Sequence, residues 1–282
     1  MSPYRLPDPE LEALLRDDAP CGDATTFALG IAGRPGRMVF RARSDMLLCG
    51  SEEAVRMGEL RGLTALGPVR ASGERLAAGA EILTLAGPAG ALHQVWKTAQ
   101  TLVEYLSGIA SCAADIVAAA RRADPDAGVA CTRKNFPGTK AAALKAVLCA
   151  GASPHRLGLS ETLLVFAEHR AFLAGEAPAA TVARLRRRWP ERPVVVEVGD
   201  EAEALDWLAA GADVLQLEKW PVDAVDRLRR AIPAGSRTRL AAAGGIHPAN
   251  AESYARAGAG ILVTSAPYFA PPRDVAVSLT SD

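Results

Sequence analysis

Short polar groups in the latter part of the chain carry the side chains able to do chemistry. They are Thr132-Arg133-Lys134-Asn135, His155-Arg156 with His169 beyond, Glu197, Glu218-Lys219, Gly244-Gly245 and Thr264-Ser265. Arg133, Lys134, His155, Arg156 and Lys219 together suit a polyanionic substrate, since guanidinium groups bind carboxylate or phosphate in a bidentate way and ammonium acts as a point charge. Glu197 and Glu218 are hard oxygen donors that suit Mg²⁺ or the diol of a ribose. Glu197 sits inside the run Val194-Val195-Val196-Glu197-Val198, where an unpaired carboxylate would be costly to bury, so its presence points to a function or an ion pair. Gly244-Gly245 offers backbone N–H groups ahead of a helix expected to open at Pro248, a common way of cradling phosphate. Taken singly, each group also has a plain structural reading as a solvated loop, a turn or a cap. Their joint spacing, with one polar group per apolar run, favours a site.

The elements that must position these groups are short apolar runs alternating with alanine-rich helices. The runs are Val129–Cys131, Leu163–Phe166, Val194–Val198, Val214–Leu217, Arg239–Ala242 and Ile261–Val263. Helices are expected over Lys140–Cys149, Thr181–Trp189, Glu201–Ala210, Val222–Ala231 and Ala249–Ala257. Such alternation implies a parallel sheet. Ala210-Gly211-Ala212 and Ala257-Gly258-Ala259 each read as a glycine helix stop followed by re-entry into the sheet. Polar residues follow nearly every run instead of clustering at one crevice, which favours a closed (β/α) barrel over a doubly wound sheet.

The first third reads as mixed α+β. Helices are expected over Pro7–Arg16 and Ser51–Leu60, the latter with Ser51 as N-cap, and strands over Arg37–Arg43 and Glu81–Leu85. Leu92, Val95, Ala99, Leu102, Leu106 and Ile109 recur at helical spacing in a proline-free stretch from Ala89 to Ala123. This predicts one long helix, or two broken near Ser107-Gly108, linking the two parts. His93, His247 and Asp23-Ala24-Thr25-Thr26 read as structural.

Lys+Arg and Asp+Glu both number 32, so the basic excess usual in nucleic-acid-coating proteins is missing. The 5 cysteines are scattered, without a C-x-x-C pair, which suits a reduced compartment better than a disulfide framework. The acidic, proline-rich N-terminus has no apolar signal core, and no apolar run approaches the roughly 20 residues of a membrane span. The expected location is the cytoplasm, with small-molecule substrates and no nucleic-acid or membrane partner.

With these residues in place a family resemblance becomes specific. Thr132-Arg133-Lys134-Asn135-Phe136-Pro137-Gly138 resembles the TRKT-x-PG segment of the quinolinate phosphoribosyltransferase (nicotinate-nucleotide pyrophosphorylase) family, and His155-Arg156-Leu157-Gly158-Leu159-Ser160-Glu161 its HR-[ML]-GLSD segment. Leu106-Ser107-Gly108-Ile109-Ala110, Gly22-Asp23-Ala24-Thr25-Thr26 and Ala243-Gly244-Gly245-Ile246 resemble its LSGIA, GD-x-TT and SGGI segments. The wording is most similar to the ModD branch, associated with molybdenum-transport genes. The resemblance implies an α/β fold: an N-terminal α/β sandwich over 1–110, joined by 268–282, and an open (β/α) barrel of the phosphoribosyltransferase type over 111–267. It also implies phosphoribosyl pyrophosphate (PRPP) with Mg²⁺, and a head-to-tail homodimer with shared active sites. By motif, Arg133, Lys134, His155 and Arg156 would bind quinolinate-like or phosphate anions, with Lys134 acting in catalysis, and Lys219 would join them by its place after a strand. Glu197 and Glu218 would act on the ribose and the metal, and Gly244, Gly245, Thr264 and Ser265 would bind phosphate.

Departures from the family pattern touch the acceptor. Its glutamate-arginine pair on the long helix is Trp96-Lys97 here, so Lys97 stands for the arginine that would reach the neighbouring subunit's site. An active-site lysine is replaced by Phe166, the aspartate of its LDN segment by Glu218, and the glutamate of its LEASGGI segment by Ala241. The expected function is transfer of phosphoribose from PRPP to an acidic or aromatic acceptor linked to molybdenum metabolism. Two alternatives stand beside it: a true carboxylating quinolinate enzyme of NAD biosynthesis, and a non-catalytic protein binding a molybdenum-related ligand.

Overall fold

The computed structural model describes residues 4–173 and 175–282. Two compact units emerge: the chain up to Ala114 with Asn135–Gly151 and Pro267–Asp282, and Asp115–Lys134 with Ala152–Ala266.

In the first unit, helix α1 (Asp8–Asp18) carries acidic residues in its first turn and buries Leu11 and Leu15. Asp23 caps α2 (Ala24–Ala28) by accepting the Thr26 N–H, and the Thr26 hydroxyl bonds His93 Nδ1, so both have the structural roles expected of them. Then follow β1 (Pro35–Ala42), β2 (Met46–Leu47), α3 (Ser51–Leu60), β3 (Thr64–Leu66), β4 (Arg75–Leu76) and β5 (Glu81–Pro88). The cap of α3 is Gly50 and not the expected Ser51; its φ of +100° is a left-handed conformation that glycine takes without a Cβ penalty. The chain's last strand, β13 (Val275–Ser281), pairs antiparallel with β1, giving a sheet ordered β13-β1-β5-β3.

Helix α4 (Ala89–Ala123) runs unbroken through Ser107-Gly108. Gly108 is required by proximity: a Cβ there would lie 2.5 Å from the Pro271 carbonyl oxygen. By length and composition α4 is apolar enough to cross a membrane, contrary to the expectation that no stretch of the chain approaches that. Its Leu92, Val95, Ala99 and Val103 are instead buried in the core of the first unit with Met38, Phe40 and Leu85.

The second unit holds β6 (Gly128–Cys131), β7 (Ser153–Pro154), β8 (Leu163–Val165), β9 (Val194–Val198), β10 (Val214–Glu218), β11 (Arg239–Ala243) and β12 (Ile261–Thr264), all parallel. Helix α5 (Lys140–Cys149), between β6 and β7 in sequence, belongs to the first unit. The later connections carry α6 (Ala167–Arg170), α7 (Pro178–Arg188), α8 (Glu201–Ala209), α9 (Val222–Ala231) and α10 (Ala251–Arg256). Strand order is β7-β6-β12-β11-β10-β9-β8, a half-barrel left open between β7 and β8. This corrects the closed barrel favoured by strand periodicity and agrees with the open barrel implied by the family resemblance. The cause is local: β7 is two residues long and ends in Pro154, which has no N–H to extend a ladder.

Gly211 and Gly258, at φ +85° and +95°, end α8 and α10 as expected. Ala212 N–H donates to Trp207 C=O and Ala259 N–H to Tyr254 C=O, the six-to-one bond of a Schellman stop. Along the strands, Val194, Val196 and Val198 are buried on one face while Val195 and Glu197 take the other; Leu215 and Leu217 likewise alternate with Val214, Gln216 and Glu218. Several interior positions are small, among them Gly128, Ala130, Ala241 and Ala243, so the half-barrel is incompletely filled.

Candidate functional site

The unfilled interior opens at the strand C-termini as a cavity of about 460 Å³. Its wall takes Arg133 and Lys134 from beyond β6, His155 and Arg156 from beyond β7, Phe166 from beyond β8, Glu197 and Glu218 from β9 and β10, Gly244 and Gly245 from beyond β11, and Thr264 and Ser265 at the end of β12. Sequence spacing thus brings these side chains to one place.

One half of the wall is cationic. Because β6 and β7 are neighbours, and the His155 N–H donates to the Cys131 carbonyl at 2.8 Å, the two basic pairs lie side by side. Thr132 Oγ1 accepts the Lys134 N–H at 3.2 Å and shapes the first pair's turn. Burial and the adjacent Arg133 hold the Arg156 guanidinium below its ordinary pKa; burial and Arg156 likewise lower that of His155, which favours neutral imidazole. Among the described residues Arg133, Lys134 and Arg156 make no ion pair; Arg156 instead lies over the Phe166 ring, 5.4 Å from its centroid. Phe166 also stacks on His169, whose Nδ1 accepts the Phe166 N–H.

The other half is acidic. Burial raises the pKa of Glu197, a hydrogen bond from Gln216 opposes that, and the carboxylates of Glu218 and Glu168 raise it again. Arg170 anchors this side by donating to the Glu197 carbonyl at 2.7 Å while pairing with Glu203. Among the described residues no group of three or more His, Cys, Asp or Glu side chains could hold a metal ion unaided.

Where β11 ends, Gly244 and Gly245 both have positive φ, +81° and +77°. A Cβ on Gly244 would lie 2.6 Å from Lys219 Cγ and 2.9 Å from Glu218 Oε1, so only glycine fits. The helix that follows opens at Ala251, not Pro248, and has only 6 residues, so the glycine pair does not sit on a helix N-terminus. Thr264 Oγ1 donates to the Ile246 carbonyl at 2.7 Å and fixes the same loop.

One expected residue lies elsewhere. Lys219, at φ +60°, is exposed and outside the cavity wall. Lys97 belongs to the first unit, its Nζ 4.5 Å from the Trp96 ring centroid and 3.3 Å from Gln100 Oε1. Glu168 and Gln216 line the cavity without having been singled out in the sequence. Gln216 had a signal, since it stands two residues before Glu218 and must share its face of the strand.

Residues 23–107 match the description Quinolinate phosphoribosyl transferase, N-terminal domain, and residues 109–278 the corresponding C-terminal domain. The chain is 49% identical to the pyrophosphorylase ModD of Rhodobacter capsulatus over 255 residues, covering 90% of this chain and 98% of that one. It is 29% identical to a carboxylating nicotinate-nucleotide pyrophosphorylase of Synechocystis, covering 96% and 92%. The crystal structure of NadC from Streptococcus pyogenes superposes with a TM-score of 0.88 at 26% identity, covering 98% and 96%. The chain therefore belongs to the quinolinate phosphoribosyltransferase family, a family of pentosyltransferase enzymes.

Proposed function

We propose that the cavity transfers a phosphoribosyl group from PRPP to an acidic or aromatic acceptor. The observation that carries this reading is the division of one cavity into a cationic half, whose Arg133, Lys134 and Arg156 make no ion pair among the described residues, and a half bearing Glu168, Glu197 and Glu218. PRPP is a polyanion built on a polyol, and loss of pyrophosphate leaves an oxocarbenium-like ribosyl centre. Arg133, Lys134, His155 and Arg156 bind the anionic parts; Lys134 stabilises charge that grows as the bond to pyrophosphate breaks. Glu197 and Glu218 orient the ribose hydroxyls and stabilise the positive sugar. Gly244, Gly245 and Ser265 hold a phosphate through backbone N–H and hydroxyl groups, and Thr264, whose hydroxyl donates to the Ile246 carbonyl, fixes the loop beside it.

The residues fit Mg²⁺ in the manner usual for that ion, which takes one or two carboxylates and completes its shell with substrate phosphates and water. Glu197 and Glu218 would be those carboxylates, and the ion, when bound, would offset charge on the phosphates. Assembly as a homodimer would bring Lys97 of a second copy to the site. The likeness to the ModD branch directs the search for an acceptor towards compounds linked to molybdenum metabolism. Phe166 favours an acceptor with fewer carboxylates than quinolinate, because it replaces a point charge by an aromatic wall.

The test is thermal stability with PRPP and Mg²⁺, followed by pyrophosphate release across a panel of acceptors that includes quinolinate. A rise in Tm with PRPP and Mg²⁺, and acceptor-dependent pyrophosphate release, are expected. Failure of PRPP to bind overturns the reading. Binding without release from any acceptor would favour a binding protein over an enzyme.

A further inference from the structure

Gln216 occupies the middle of β10, is 4% exposed, and faces the cavity. Its Nε2 donates to Glu197 Oε2 at 2.7 Å, while its Oε1 is buried without any hydrogen-bond partner. The orientation of the amide follows from chemistry. An ionised carboxylate can only accept, so the NH₂ group must face Glu197 and the carbonyl must face elsewhere. A buried amide carbonyl left unpaired is unfavourable, and native proteins rarely tolerate one without a reason.

The neighbouring wall does not supply the missing donor. Glu168, Glu197 and Glu218 are acceptors when ionised, and Ala243 and Val263 have no polar side-chain atoms. The Thr264 hydroxyl, at the end of β12, gives its proton to the Ile246 carbonyl. This side of the cavity is therefore rich in acceptors and poor in donors, and it matches a ligand that presents several O–H groups. The Gln216 carbonyl and the Glu197 carboxylate are held side by side by their mutual hydrogen bond, as two acceptors suited to two adjacent hydroxyls.

We infer that Gln216 is a specificity-determining residue that reads a pentose hydroxyl, its Oε1 accepting from the hydroxyl vicinal to the one taken by Glu197. This inference rests on the phosphoribosyl reading above and adds to it a preference for ribose over deoxy sugars.

The test is equilibrium binding of PRPP and of its 2-deoxy and 3-deoxy analogues to wild type and to Gln216→Met, a swap of similar volume that suits an apolar strand. Melting curves would check that the variant folds. Wild type should lose about tenfold in affinity on deletion of the hydroxyl that Gln216 reads, the size of one hydrogen bond. Gln216→Met should lose about the same for PRPP, yet bind that deoxy analogue as wild type does. Equal losses for all three ligands, or no loss for any, would overturn hydroxyl reading by Gln216 while leaving the phosphoribosyl reading intact. Wild type that binds PRPP and both analogues equally would overturn it even if the variant failed to fold. Wild type that binds none of them would overturn both readings together.

Discussion

The Arg156 guanidinium lies over the face of Phe166, 5.4 Å from the ring centroid, at the edge where β7 and β8 fail to meet. The ring occupies a position where the family pattern has a lysine, and it presents an aromatic wall to the cavity. A unit charge pair about 4 Å apart interacts by about 4 kcal/mol at an effective dielectric near 20, before desolvation. A third of that is about tenfold in binding. Phe166→Lys should therefore raise affinity for quinolinate about tenfold, as measured by titration, and wild type should turn quinolinate over poorly, as measured by CO₂ release. Efficient turnover by wild type would contradict the acceptor preference.

Arg133→Ala and Arg156→Ala should each abolish binding of PRPP or an acidic acceptor while leaving the fold intact. Both residues follow strand ends and carry no ion pair among the described residues, so their loss should change stability by no more than about 0.5 kcal/mol. Calorimetric binding and melting curves on the same samples separate the two effects. A folded double variant with wild-type affinity would refute the site.

Lys97 belongs to the first unit, and the proposed homodimer would bring it to a second copy's site, which leads to a test of shared sites. A Lys97→Ala protein and an Arg133→Ala protein should each be nearly inactive. Mixed in equal amounts and allowed to exchange, they should recover about a quarter of wild-type activity, since half the dimers would be mixed and each of those would hold one intact site. No recovery, with mixed dimers demonstrated by mass spectrometry, would exclude a site completed by a second copy.

The first unit carries its own pH dependence. Lys145, 1% exposed, is 2.8 Å from the carboxylate of Glu52 and also pairs with Glu53. Burial pushes the Glu52 carboxyl up, but hydrogen bonds from Lys145 and Ser72 outweigh it and hold the pKa at about 2. Burial also disfavours the Lys145 ammonium, and the two glutamates more than offset it. A depressed carboxyl contributes stability that is present above its unfolded value near 4.5 and is lost as pH falls from there through about 2. Tm should decline over that window, and Glu52→Gln should flatten the decline. Lys145→Met at neutral pH should cost on the order of 3–5 kcal/mol, because it leaves buried carboxylates unpaired. A pH-independent Tm between 5 and 2 would contradict the assignment.

Strands buried on both faces were legible as short apolar runs, and β9 begins and ends where its valines do. The open edge was not legible from periodicity, since closure depends on whether β7 and β8 pair, and β7 is two residues without a hydrophobic signature. Cationic and acidic groups at strand ends could be gathered because parallel strands deliver their C-termini to one side. Lys219 escaped that rule through a left-handed backbone, which residue type alone does not announce for a lysine. Gln216 escaped because an uncharged amide in an apolar strand looks incidental until its orphaned oxygen is seen. The affiliation of α5 was equally hidden. Its buried Ala143, Ala146 and Val147 say that a face is covered, not which part of the chain covers it.

The two family domains meet once in sequence, between residues 107 and 109, whereas the compact units exchange chain after Ala114, Lys134, Gly151 and Ala266. A gene cut at the sequence boundary would strand material on both sides. The upstream fragment would lack β13, the edge partner of β1, and would keep Glu52 and Glu53 without Lys145. The downstream fragment would carry α5 and β13 without β1 and α3, and with only the residues up to Ala114 of α4 from the earlier part of their unit. Recombination between relatives can therefore exchange this architecture as a whole but not by halves, so that the heritable module is the two units together.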